Sequence, residues 1–164
     1  MARHLSTIIA GVVGALEAWA SAVPTPGEVS VAADRDEGLA ALGETPKSWR
    51  LIVWVEGETG TEGTEEAETR VRIGLTVGRG LAATVRKELM VGRGSGPPVY
   101  DLIEGVVAKA RGLWVAEQSP CRVLDYQGWD WVRFEVGVMH YVVQTNYILR
   151  RQLPAASAAL VVLS

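Results

Sequence analysis

The 164 residues include 16 basic and 19 acidic side chains, a formal charge of −3, and 48% are apolar. Such a chain is long enough for one domain with a real core, too apolar for wholesale disorder, and too weakly charged for a general nucleic-acid binder. The one cysteine, Cys121, excludes an intramolecular disulfide and a cysteine metal cluster and fits a reducing compartment.

The chain opens on MARHLSTIIAGVVGALEAWASA, with a basic start, an apolar middle and small residues near Ala20 and Ala22. That is the outline of a secretory signal. Glu17 interrupts it, and the stretch is too short and broken for a comfortable membrane span, so it reads as an amphipathic helix. Leu5, Ile8, Val12, Leu16 and Trp19 form its apolar stripe, Ser6 or Thr7 is placed to cap it, and Pro24 and Pro26 end it. Residues 27–47 read as a connection with a short strand near Val29–Val31.

Leu51–Val55 reads as a buried strand. In TRVRIGLTV, Val71, Ile73, Leu75 and Val77 share one face and Arg70, Arg72, Gly74 and Thr76 the other, the pattern of a half-exposed strand. Between the two runs lies EGETGTEGTEEAE, residues 56–68, in which six of thirteen residues are glutamate. The expectation is a long-looped hairpin with the glutamates at its tip. From Arg70 to Arg111 the sign reverses, with eight basic residues against Glu88, Asp101 and Glu104. Charge divided this way along a chain points to separate surfaces.

Residues 78–98, with VGRG twice and GRGSGPP at the end, read as an irregular insertion. Tyr100–Trp114 reads as a second helix, with Pro98 in its first turn and its charges arranged to suit its dipole. A strand region follows over residues 121–136, with a turn at Gln127–Gly128 and Val132, Phe134 and Val136 facing the core. That assignment turns Trp129 and Trp131 outward, toward a subunit interface or toward cover from the chain itself, for example by residues 27–47. In the last strand Tyr141, Val143, Thr145, Tyr147 and Leu149 share a face. The order of elements predicts an α+β fold, a mixed or antiparallel sheet of four to five strands with two helices packed on one face. Residues 1–151 form that single domain, and residues 152–164 an apolar C-terminal tail.

No catalytic signature, cofactor motif or metal spacing is present. GRGSGPP lacks the Lys-Ser/Thr of a phosphate loop, the glutamate run lacks the Asp/Asn pattern of a calcium loop, and His4 and His140 make no ligand spacing. His140 and Asp130 have no nucleophile beside them in sequence, and Cys121 reads as a small core residue.

The succession LSTIIAGVVGALEAWASAV, a proline-rich link, RLIVWVEG, a variable loop, a strand, YDLIEGVVAKARGL and a closing pair ending in YVVQTNYILRRQ resembles the tail terminator, or tail-completion, proteins of tailed bacteriophages and related contractile particles. The likeness spans residues 4–151 and is one of layout, without an invariant motif; the 78–98 insertion and the apolar tail depart from it. It implies a non-enzymatic virion protein, made in the host cytoplasm and placed at the head–tail junction. There it forms a ring, usually a hexamer, that caps the tail tube protein and offers a face to the head connector. DNA passes through without specific binding, and no membrane or cofactor is involved. On this reading Arg70, Arg72, Trp129 and Trp131 are candidates for subunit contact, together with the 155–164 tail. Glu58, Glu62, Glu65, Glu66 and Glu68 face the lumen, an adjacent ring or solvent. The alternatives are another head–tail neck, completion or tube protein, and, with less behind it, a small bacterial enzyme of unknown chemistry.

Overall fold

A computed structural model describes residues 4–44, 46, 48–78, 91, 98–113, 124–132, 140–159 and 162. Its elements are α1 (Leu5–Ala22), β1 (Glu28–Val31), α2 (Arg35–Gly43), β2 (Trp49–Gly60), β3 (Glu66–Gly78), α3 (Val99–Arg111), β4 (Asp125–Trp131) and β5 (His140–Gln152). The strands form one mixed sheet in the order β1-β2-β3-β5-β4, with β1 parallel to β2 and every other pair antiparallel. The class is α+β. Most of the 78–98 insertion, Cys121, Phe134 and Val136 lie outside the described residues.

The main core fills the space between one sheet face and the pair α1 and α3. From the sheet it takes Trp49, Leu51, Val53, Val71, Ile73, Leu75, Val77, Val143, Tyr147 and Leu149. The alternation in β3 thus buries the residues it predicts. Val12, Leu16 and Ala20 of α1 are buried there, with Leu5, Ile8 and Trp19 packed partly against them, so the helical stripe is realised. The cap is not: the N-cap is His4, and it makes no side-chain cap bond. By length and composition α1 also meets the requirement for a membrane span, at a mean hydropathy of 1.5, contrary to the expectation that it is too short. Core helices and signal sequences meet the same requirement. Trp19 packs against Trp49 with tilted rings, 5.5 Å between centroids, and the Trp49 indole donates to the Thr25 carbonyl at 2.7 Å.

The connection over 27–47 contains β1 as predicted and also a helix that was not. The α2 N-cap Asp34 accepts from the Glu37 amide, while Glu37 accepts from the Ala33 amide, a reciprocal capping arrangement. This helix lies on the opposite sheet face, where Ala32, Leu42, Ile52, Trp54 and Val142 form a second, smaller core. The two predicted helices, α1 and α3, share one face as expected, and the additional helix α2 covers the other, so the sheet is covered on both sides at its β2–β3 end. The second β3 face is likewise not half exposed, because Gly74 and Thr76 are buried. A Cβ on Gly74 would meet Leu42 at 2.7 Å and Trp54 at 3.0 Å, so the absence of a side chain is what lets α2 approach.

The acidic stretch is corrected most. Strand β2 runs on to Gly60 and β3 begins at Glu66, so only residues 61–65 are turn. The Thr61 amide donates to the Glu66 carbonyl, the Thr64 amide to the Thr61 carbonyl, and Gly63 supplies the left-handed backbone at φ 74°. A bulge at Glu56 separates the Val55↔Val71 pair from Gly57↔Arg70. Beside this hairpin β5 continues to Gln152, and the Leu153 amide reaches the Glu65 carbonyl. The outcome is a three-stranded arm extending past the helix-covered part of the sheet.

Candidate interaction surfaces

Three surfaces gather the residues singled out from the sequence: the arm, the β4 edge and the C-terminal tail. The register sorts the charges of the arm. Glu58, Ala67, Thr69, Leu149 and Arg151 fall on the side of the main core, and Thr59, Glu68, Arg70 and Arg150 on the other. Glu58 accepts from Arg151 in a fork, Nε to Oε2 at 2.7 Å and Nη2 to Oε1 at 2.9 Å, and also accepts the Thr69 hydroxyl. The Arg151 hydrogen bond is the main reason the Glu58 carboxyl is held below its ordinary range; desolvation opposes it, and the Thr69 bond adds to it. On the other side Arg150 bridges Glu68, at 3.2 Å, and Asp125.

Among the six glutamates, three are therefore bound to arginine. Glu56 pairs with Arg72 at 2.6 Å and with Arg35 at 3.5 Å, Glu58 with Arg151, and Glu68 with Arg150. Glu62, Glu65 and Glu66 remain exposed at the turn. The acidic feature shrinks from a thirteen-residue run to a three-residue tip. Sequence reading missed Arg150 and Arg151 as its partners because they lie more than eighty positions downstream; the arginine pair itself was the available signal.

Arg72 is not an exposed basic residue. Its side chain is 13% exposed, bonded to Glu56 and to the Val71 carbonyl. Arg70 donates to the Thr59 hydroxyl at 3.0 Å and lies partly buried against Gly57. The two arginines expected to reach a neighbour thus already contact β2 of their own chain.

The tryptophans also sit differently from the expectation. The pairings Trp129↔Thr145 and Trp131↔Val143 place both on the main-core face, and their rings meet edge to face at 5.4 Å. Trp129 packs partly against that core, whereas Trp131 is 41% exposed. Val132 instead packs partly against the second core. Both alternating sets of this segment carry apolar residues, Trp129 and Trp131 in one and Val132 in the other, so the alternation alone does not mark the core face. Nor is there a turn at Gln127–Gly128: β4 carries a bulge there, with Gly128 at φ 109°, and resumes its pairing. Residues 27–47 do cover the chain's second face, but over Trp54 rather than over these indoles.

A groove of about 480 Å³ lies at the α3–β4 junction, bordered by Arg111, Leu124, Asp125, Tyr126 and Gln127. A neighbouring cleft of about 320 Å³ extends it past Glu104 to Trp129. Burial raises the Tyr126 phenol, with Arg111 opposing the shift. Among the described residues no three His, Cys, Asp or Glu side chains group as a metal site. Residues Pro154–Ala159 and Val162 are exposed, Val162 at 81%. A scan against protein-family models and a search of curated proteins both find no match.

Proposed function

We propose that the protein is a ring-forming structural component of a phage tail, of the tail-terminator kind, that ends the tail tube and meets the head connector. The observation that carries this reading is the layout. Helix α1, the long β2–β3 hairpin, helix α3 and the closing β4–β5 pair follow one another in the order the family resemblance implies, with β1 and α2 inserted after α1 and with α1 and α3 on one sheet face. The arm adds support, since it presents exposed glutamates at its tip and engages Arg72, Arg150 and Arg151 in ion pairs and Arg70 in a hydrogen bond to Thr59. A lumen that DNA must traverse calls for carboxylates without free cations, because neutralising phosphates is what binds DNA.

In this reading the protein works through surfaces, with Trp131 and the tail as further contact elements and no catalytic step. Light scattering of the purified chain should give a ring mass, hexameric by the family resemblance. Labelling in assembled particles should place it between head and tube. A monomer at every concentration, or a position away from that junction, rejects the proposal. A position elsewhere in the neck or tube would select the related structural role instead.

A further inference from the structure

The arm has two open sides. Strand β1 pairs with β2 only up to Val53, and β4 pairs with β5 only up to Ile148. Beyond those points the outer edges of β2 and β5 have no strand partner among the described residues. Backbone direction can be read from the turn. The Thr61 amide donates inward to Glu66 and the Leu153 amide inward to Glu65. Because antiparallel strands alternate inward and outward amides, Glu58 and Gly60 on one edge, and Arg150 and Gln152 on the other, direct their backbone groups outward.

The two edges carry opposite charge. Glu56 and Glu58 lie on the β2 edge, Arg150 and Arg151 on the β5 edge. Charged residues on an edge ordinarily discourage pairing, but opposite signs on two edges of one molecule choose a pairing instead. A two-fold dimer joining like edges would set glutamate against glutamate or arginine against arginine. Joining β2 of one copy to β5 of the next sets acid beside base on strands about 4.8 Å apart. Strands β2 and β5 are both antiparallel to β3 and hence parallel to each other. Copies related by rotation about one axis keep their arms in the same sense, so the joint is parallel and head-to-tail, the kind of contact that closes into rings.

We infer that the arm is the assembly element of this protein, its β2 edge pairing in parallel with the β5 edge of a second copy so that the arms form one continuous sheet around the ring. This rests on the ring reading and assigns its interface. Within one chain Arg151 grips Glu58 across β3; in the assembly each copy also offers these two residue types to its neighbours.

The test uses full-length chains and separates the contact between copies from the one within a chain. Glu58→Arg and Arg151→Glu each destroy both contacts. Mixed in equal amounts, the two variants still lack the internal pair but can alternate around a ring with opposite charges at every joint. Light scattering should show assembly weakened at least tenfold for each variant alone and regained in the mixture. Assembly of either variant at wild-type strength, or a mixture that stays dissociated while the wild type forms rings, overturns the edge pairing and leaves the ring reading intact. A wild-type chain that never assembles overturns both. If circular dichroism shows that either variant does not fold, Gln152→Pro, which removes one outward amide, takes its place: lost assembly is expected, and retained assembly overturns the proposal.

Discussion

Arg151 holds Glu58, 93 positions before it, through two hydrogen bonds of 2.7 and 2.9 Å passing over the strand that separates them. The side chains are only 11% and 27% exposed, and Ala67, which pairs with Arg151 in the register, is buried. The pair therefore acts as a cover for this side of the arm as well as an ion pair, the apolar stem of the arginine serving the same end as its charge.

Arg151→Lys keeps the charge but cannot form the fork. Hydrogen exchange should show faster amide exchange over residues 66–70 and 148–152, with the helix-covered strands unchanged. The loss should be about 1 kcal/mol, the upper part of the range for partly exposed pairs. Uniform change across the sheet would argue against a local role.

Acid should remove the same contribution. The Glu58 carboxyl is depressed below its ordinary value of 4.5, chiefly by the Arg151 hydrogen bond. A depressed carboxylate stabilises the fold above its unfolded value and loses that effect as pH falls through the folded one. The difference in melting temperature between wild type and Glu58→Gln should thus be full near neutral pH and shrink below about pH 4.5. A difference that persists undiminished at pH 3 would count against the assignment.

Gly74→Ala should cost about 1–3 kcal/mol, the usual range for overpacking. Its new methyl meets Leu42 and Trp54 at 2.7 and 3.0 Å, and α2 must lift to admit it. Urea unfolding gives the size of the loss, and a blue-shifted tryptophan emission moving red would show Trp54 gaining water. Unaltered stability would mean that α2 seats more loosely than its contacts indicate.

Charge reversal should separate the two β3 arginines. Arg72→Glu places a carboxylate against Glu56 at a site 13% exposed, and should lower the melting temperature of the chain itself. Arg70→Glu loses a hydrogen bond to Thr59 at a more open position and should affect folding less. Equal thermal effects would put the two side chains in equivalent surroundings.

The class of fold was legible because its signals are local. Alternation in β3 and the stripe in α1 each belong to one segment, and their buried residues followed. Helix α2 was hidden by composition: RDEGLAALG is short and polar with two glycines, and what holds it is Leu42 against Trp54 and Gly74, contacts made across the sheet. The outward reading of Trp129 failed for a different reason: both alternating sets of its segment carry apolar residues, Trp129 and Trp131 in one and Val132 in the other, so polarity does not mark the core face. The glutamate run was misjudged because a charge was weighed without its partner. Arg150 and Arg151 come beside it only through the β3–β5 pairing, and no feature of residues 56–68 announces them.

Strand β5, the last in chain order among the described residues, is not at the margin of the sheet but between β3 and β4. Its Thr145 hydroxyl donates to the Ile73 carbonyl 72 positions earlier, and its end supplies Arg150 and Arg151 to the arm. The β1-α2-β2-β3 portion emerges before it, yet its hairpin lacks a third strand until β5 has followed. Long-range pairing of this sort is slow to form, and here it also sets an order of events. Neither the placing of β4 nor the third strand of the arm can be completed before β5 has been made.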